Sequence, residues 1–377
     1  MRKPIRVLHI VGAMNQGGVE SWLMALLRHA DRSEIAMDFM VHTSRPAAYD
    51  SEITARGGCL LPCPSVHRPG YIREFNEALR SREPYDVLHS HVHWFSGVTT
   101  TLARRRGIRL RIAHSHSNSS LAEASAGPLR GAYRAVYRSV MRRGMLSSAT
   151  HLLAASGSAA CALFGANWQE VPRARVLYCG VDFAPFAPVD AARDRASARR
   201  EFGIASEEIV LGHVGNLHGP KNHRFLAAIA ACAGQRQSGV RVLCAGGGPL
   251  REEIQTFFKN AGVRAIFTGP RSDIPRLLRA MDVFVFPSLY EGLPLAVVEA
   301  QATGLPCVVS EEVTREVDVV SGLIRWLPLS AGADTWADAV LEAAGQPAQS
   351  VGGLRAMRRS PFSVETSFEH MRSIYHS

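Results

Sequence analysis

Short apolar runs alternate with longer segments of helical spacing along most of the chain. In the first half, residues 5–11, 37–42, 87–91, 110–113, 151–155 and 176–178 have the length and apolar content of buried parallel strands. Residues 20–30, 71–82 and 128–146 read as helices, and Ser156-Gly157-Ser158 opens a shorter one ending near Phe164. The pattern breaks at Cys179-Gly-Val-Asp182 and a Pro- and Ala-rich stretch to about residue 200, which places a linker near 180–190. It then restarts. Residues 209–214, 240–245, 265–268, 283–286 and 307–310 read as strands, with helices predicted at 225–233, 250–261, 273–281 and 294–302. A last helix is predicted over 363–375. Strand and helix alternate in both halves, so the predicted class is α/β: two doubly wound Rossmann-like domains facing across a cleft.

The most informative stretch is 267–310. Val283 to Phe286 is a strand ending at Pro287, and Pro294 suits the first turn of the helix that follows, where its missing N–H costs nothing. Glu291 then lies in a loop at the carboxyl end of a strand, and Glu299 lies on the helix which that loop opens. Ligands of open α/β sheets bind at this edge, and N–H groups at Gly292, Leu293 and the first helical turn suit an anion. Two other strand ends carry glycine-rich turns: Gly12 to Gly18, with Gly17-Gly18 before Glu20, and Gly215-Asn216 to Lys221. Such turns let backbone approach a phosphate or sugar closely. Neither is a dinucleotide fingerprint or a P-loop.

His89, His91 and His93 alternate, so they share one face if their strand continues, and His114 and His116 end the next strand. Carboxylate and cysteine partners are missing from both stretches, Asp86 being the nearby acid, so the reading is a polar lining with no metal. Arg130, Arg134, Arg138 and Arg142 recur every four residues of one helix, with Arg143 beside them, as a basic stripe that could meet an anionic membrane surface.

Composition adds boundaries. A chain of 377 residues favours two domains, and no apolar run reaches the roughly 20 residues of a membrane span. The start reads as a first strand, not a signal peptide. Seven cysteines without a Cys-x-x-Cys pair argue against a disulfide framework and fit a reducing cytoplasm. The net charge of +10 suits an anionic ligand, an anionic membrane or nucleic acid. Only Lys3, Lys221 and Lys259 among the 43 basic residues are lysine, which singles out Lys221.

Glu291-Gly-Leu-Pro with Glu299 eight residues on, the preceding strand and Thr268-Gly-Pro-Arg271 together resemble retaining glycosyltransferases of family 4, of the exopolysaccharide and lipopolysaccharide type, which have the GT-B fold. The match covers most of the chain and is sharpest from 209 to 310. The resemblance implies an acceptor-side domain at 1–180, to which a C-terminal helix at 362–377 crosses back, and a nucleotide-sugar donor domain at 181–361. It implies a metal-independent hexosyltransferase reaction, without cofactor, from a nucleotide-sugar (a UDP-sugar first) to a glycan or lipid-linked acceptor. Glu299 falls where the family binds ribose hydroxyls, Glu291 where it contacts the donor sugar, and Lys221 where a basic residue holds the diphosphate. Gly292, Leu293, Gly215, Asn216, Gly17 and Gly18 fall at phosphate or sugar, Arg271 and Ile274 at the nucleobase end. His116, with His114 as second choice, falls at a histidine lining the sugar pocket. Acceptor choice is assigned to loops such as 117–130.

Two positions depart from that pattern. Asn216 stands where the family has a diphosphate-binding arginine, and Cys179 replaces the asparagine of Asn-Gly-Val-Asp. The implied location is cytoplasmic and peripheral on the inner face of the membrane. The rival readings are a GT-B sugar-nucleotide epimerase, a glycoside hydrolase, and a non-catalytic basic protein binding nucleic acid or membrane. The hydrolase is disfavoured because Glu291 and Glu299 share one loop–helix unit. Nucleic acid is set aside because no zinc-finger or RNA-binding signature accompanies the charge.

Overall fold

The computed structural model describes residues 3–66, 68–82, 84–117, 128–187, 190–346 and 350–377. The chain divides into two compact units: residues 1–180 with 364–377, and residues 181–363.

In the first unit, β1 (Ile5–Val11), β2 (Ile35–Val41), β3 (Leu60–Pro62), β4 (Val87–Ser90), β5 (Leu110–Ser115), β6 (His151–Ala154) and β7 (Ala174–Val176) form one parallel sheet in the order β3-β2-β1-β4-β5-β6-β7. Its connections run through α1 (Gly18–His29), α2 (Asp50–Ala55), α3 (Tyr71–Arg80), α4 (Ser96–Arg105), α5 (Pro128–Ser148) and α6 (Gly157–Phe164). Helices on a parallel sheet bury its strands, and all four residues of β4 are buried. The strand order reverses between β1 and β4, where His9 pairs in register with His89.

The second unit repeats the plan. Its sheet is β8 (Ile209–Val214), β9 (Val240–Ala245), β10 (Ala265–Phe267), β11 (Val283–Phe286), β12 (Cys307–Ser310) and β13 (Ile324–Leu327), ordered β10-β9-β8-β11-β12-β13. The helices are α7 (Ala191–Glu201), α8 (His223–Arg236), α9 (Arg251–Asn260), α10 (Ile274–Ala280), α11 (Leu295–Ala302), α12 (Gly332–Ala344) and α13 (Ser350–Arg358). Trp336 and Phe258 fill its core beside Leu226, Val242 and Val285. The switch in strand order falls between β8 and β11, the crevice where doubly wound folds bind ligands.

The last helix, α14 (Val364–Tyr375), folds with the first unit. Trp22 Nε1 donates to Ser367 Oγ at 2.9 Å, and that hydroxyl donates to the Tyr178 carbonyl at 3.1 Å.

Several expectations change. The strand assigned to 176–178 is β7, two residues earlier, because β6 pairs with Ala174 to Val176. The Pro- and Ala-rich stretch holds α7: Asp190 caps it by accepting from Arg193 N at 2.9 Å, and Arg195 and Arg199 each reach Asp282 at 2.6 Å. His93 leaves the strand face, because β4 ends at Ser90 and His93 turns at φ 49°.

The basic stripe on α5 also differs from its reading. Arg142 donates to the carbonyl of Leu163 at 3.1 Å, and it and Arg138 lie over the Trp94 ring at 5.2 and 5.8 Å. Arg134 and Arg143 are exposed, and the side chain of Arg130 lies outside the described residues. Close backbone contact with α4 explains the rotation: a Cβ on Gly97 would sit 2.3 Å from the Met141 carbonyl oxygen. Small residues thus face the neighbouring helix. Tyr133, Val136 and Val140 are left 73%, 64% and 57% exposed. Among the described residues, no helix is long and apolar enough to cross a membrane.

Candidate functional site

In the second unit, the turn after β8 is built from backbone. Gly215 N donates to Ala245 O at 2.9 Å, and Leu217 N to Gly247 O at 2.8 Å, which laces this turn to the glycine turn after β9. Side chains are excluded there. A Cβ on Gly246, whose φ is 143°, would lie 2.0 Å from the Gly215 oxygen, and one on Gly248 2.4 Å from the Leu217 oxygen. Gly219–Lys221 then form a 3-10 turn, and Asn222 takes a left-handed conformation at φ 53° before α8.

Lys221 is the centre of this edge. Its Nζ lies 2.7 Å from Glu291 Oε1 and 4.5 Å from the centroid of Phe286. The ion pair meets the distance but not the angle of a hydrogen bond, so Oε1 accepts no aligned donor. Leu289 N donates to Pro220 O at 2.8 Å and pins the glutamate loop to the lysine turn. Both side chains are largely buried, so their attraction is little weakened by salt. Gly215 is next to them: a Cβ there would be 3.0 Å from Lys221 Cε. Asn216 is exposed. Among the described residues no arginine bonds to Glu291 or to residues 215–222, so the charge opposite Glu291 is Lys221.

Beyond Glu291, Gly292 is buried and Leu293 half-buried, and Pro294 is the N-cap of α11, one position before the first helical turn that the sequence suggested. Glu299 is half-buried and has no hydrogen-bond or ion-pair partner among the described residues. Burial pushes its carboxyl up to about 7. A carboxylate held without a donor is poised for hydroxyls brought by a ligand.

Arg271 and Ile274 stand at the start of α10 and do not join the Lys221–Glu291 pair. Arg271 clasps Asp273 at 2.8 and 2.9 Å and meets Glu201 at 3.1 Å. Its guanidinium is therefore occupied, and what it offers a ligand is backbone.

In the first unit, Gly17 is the N-cap of α1, and a Cβ there would strike the Glu20 carboxylate. Gly18 is exposed. His116 and His114, at the end of β5, belong to a cluster of five imidazoles. His9 Nδ1 pairs with His91 Nε2 at 3.1 Å, His91 Nδ1 with His116 Nε2 at 2.8 Å, and His116 Nδ1 with Cys179 Sγ at 3.5 Å. His89 Nε2 pairs with His114 Nδ1 at 3.1 Å, and His89 Nδ1 with the Tyr375 hydroxyl at 2.9 Å. Burial keeps all five neutral, with His9 and His116 lowered to about 3. Trp22 packs its edge on His114 at 5.2 Å.

Sequence reasoning missed His9, Cys179 and Tyr375 as members of this cluster. The signal for His9 was its place on a first strand with His89 one strand away. Nothing local marks Cys179 or Tyr375. The loop assigned to acceptor choice lies outside the described residues from 118 to 127.

Two family models match the chain: glycosyltransferase family 4 at residues 16–184 and glycosyl transferases group 1 at 208–345. EpsF of Bacillus subtilis (strain 168), classed among glycosyltransferases, is 37% identical over 91% of this chain and 89% of its own. The crystal structure of HepE from Anabaena, in complex with UDP and glucose, superposes with a TM-score of 0.80 at 17% identity, covering 99% of this chain and 100% of that one. WaaG, a glycosyltransferase involved in lipopolysaccharide biosynthesis, superposes with a TM-score of 0.76 at 15% identity, covering 98% and 99%. The two parallel sheets and these likenesses give the chain the two-domain α/β GT-B fold.

Proposed function

Because the chain belongs to glycosyltransferase family 4, we propose that it is a retaining hexosyltransferase acting from a UDP-sugar on a glycan or lipid-linked acceptor in cell-surface polysaccharide synthesis. The observation that carries this reading is the Lys221–Glu291 pair at 2.7 Å at the edge of the β8–β11 switch. The UDP and glucose held by HepE and the lipopolysaccharide role of WaaG support the donor and the pathway class.

Charge grows on the nucleoside diphosphate as the glycosidic bond breaks. Lys221, the backbone N–H groups of Asn216 and Leu293, and the dipole of α11 are the prearranged groups that meet it, whereas the Gly215 N–H is already given to Ala245 O and that glycine contributes only room. No divalent cation on the diphosphate is required. Before donor binding, Glu291 holds Lys221 in place; the diphosphate then competes for the ammonium and releases Glu291 to the sugar hydroxyls. Glu299 accepts the ribose hydroxyls, and Arg271 and Ile274 border the base. In the first unit, Gly17, Gly18 and the half-buried His116 are the candidate substrate contacts, and the second choice, His114, is fully buried. The leaving phosphate takes the acceptor proton, so no side chain is given that task.

Calorimetry with UDP, GDP and ADP tests the donor site. Binding of UDP that is unchanged by EDTA and lost in Glu299→Ala is the expected result; binding of none of the three nucleotides refutes the reading.

The surface of α5 supports a peripheral membrane position. Exposed Tyr133, Val136 and Val140 sit among the exposed cations Arg134 and Arg143, which suits an anionic lipid surface at about 1 kcal/mol per basic residue. In liposome sedimentation, neutralising both charges should weaken binding roughly 30-fold. Unchanged binding would remove lipid as a partner.

A further inference from the structure

The five imidazoles of the first unit are more than a polar lining. Carboxylate and cysteine partners are absent from the sequence around His91 and His116. The fold supplies what is missing locally, bringing His9 from β1 and Cys179 from beyond β7 to the same place.

One ring nitrogen from each of His91, His114 and His116 lies within 4.8 Å of the other two. We propose that these three side chains form a binding site for a zinc-class transition-metal ion, held by His91 Nδ1, His114 Nε2 and His116 Nε2. Three histidines and an open fourth position are an established donor set for zinc. All-nitrogen donors favour zinc, cobalt, nickel or copper over magnesium and calcium, which take oxygen.

The hydrogen bonds assign the atoms. His114 Nε2 is buried without a partner. His91 Nδ1 and His116 Nε2 share one hydrogen bond at 2.8 Å. Two nitrogens bound about 2.0–2.1 Å from one tetrahedral ion stand roughly 3.3 Å apart, so the ion replaces that bond after a small opening of the two rings. Each ligand's second nitrogen then has an acceptor already in place. His91 Nε2 faces His9 Nδ1 at 3.1 Å, His114 Nδ1 faces His89 Nε2 at 3.1 Å, and His116 Nδ1 faces Cys179 Sγ at 3.5 Å. His89, accepting at Nε2, then donates its Nδ1–H to the Tyr375 hydroxyl at 2.9 Å. Metal-bound histidines almost always donate their other N–H to an acceptor, which fixes tautomer and ring orientation; here the acceptors are two imidazole nitrogens and a thiol sulfur.

His114 is fully buried, whereas His91 and His116 are half-buried, so the open fourth position lies on their side and admits water or a hydroxyl. This site is in the first unit, and the diphosphate cradle of the second unit is independent of it.

The test uses the full chain, stripped with chelator and titrated with Co2+ as the spectroscopic probe. One equivalent should bind with the visible absorption of four-coordinate cobalt and be displaced by Zn2+. His116→Gln and His91→Gln should each weaken binding at least about 100-fold, and Cys179→Ala roughly 10-fold through the lost outer contact. His29→Gln, at an exposed position away from the cluster, should bind as the parent does. Zinc should raise the melting temperature of the parent and not that of His116→Gln. Absence of a cobalt band in the parent overturns the proposal, and so does one-equivalent binding that survives in a folded His91→Gln/His116→Gln double variant. UDP calorimetry on the stripped protein reads the donor site separately, so a failure of either idea is seen on its own.

Discussion

Glu299→Gln separates the demands of folding from those of the ligand. The wild-type carboxyl is shifted from 4.5 to about 7 by burial, with no partner to offset it. The folded protein therefore holds this proton more tightly than the unfolded chain does. Wild-type stability falls as pH rises from about 4.5 through about 7 and levels off above. At 1.36 kcal/mol per unit, the cost at pH 8 is roughly 3 kcal/mol, a ceiling that the partial exposure of the side chain lowers. A neutral amide of the same shape does not carry this cost. The variant should be more stable than wild type by up to roughly 3 kcal/mol at pH 8 and by under about 1 kcal/mol at pH 5. For a unit of this size that is at most roughly 6–12 °C in the melting temperature of residues 181–363 at pH 8. The same change should weaken UDP at least about 10-fold, because a carboxylate accepting two ribose hydroxyls contributes roughly 1.5–3 kcal/mol per bond. Urea titrations of both proteins at pH 5 and pH 8, with calorimetry at pH 8, provide the readings. A stability difference that does not change with pH, or an unchanged UDP affinity, would refute the argument.

Three other outcomes are expected. Lys221→Met should lower kcat about 100–1,000-fold while the fold persists, measured as nucleotide release from the donor. Gln301→Leu should cost roughly 2–5 kcal/mol in denaturant unfolding. The amide nitrogen of Gln301 donates to Val317 O at 2.7 Å, its oxygen accepts from Val319 N and Val320 N at 3.1 and 3.0 Å, and leucine leaves all three without it. Gly97→Val should destabilise the first unit by about 1–3 kcal/mol or more, read as a lower melting temperature, because its Cβ would press on the backbone of Met141.

The strands, the glycine turns and the Glu291–Glu299 spacing are legible in the sequence because each is a pattern within about ten residues. Buried parallel strands read as apolar runs, and a turn that touches another backbone must be glycine. Elements held by polar contacts are not legible in that way. In α4, Ser96, Thr99 and Thr100 are buried and satisfied by Ser90 and Ser148, so the helix lacks an apolar stripe. In α7 the inward-facing side chains are arginines bonded to Asp282, and proline and alanine nearby suggested a linker. The imidazole cluster joins residues 9 and 375, a separation resolved by the strand order and by the return of α14 to the first unit. The arginine spacing on α5 was silent about rotation, which is set by the glycine contact with α4 and turns Arg138 and Arg142 onto Trp94.

The place of α14 has a consequence for synthesis. Residues 181–363 form a continuous stretch and can fold as soon as they clear the ribosome, whereas the first unit is left waiting for the last fourteen residues of the chain. Until they arrive, Trp22 lacks Ser367, His89 lacks Tyr375, and Glu34 lacks Arg372. The half that begins translation is thus the half that finishes folding, and a nascent chain stalled before residue 364 carries a complete second unit beside an open first one.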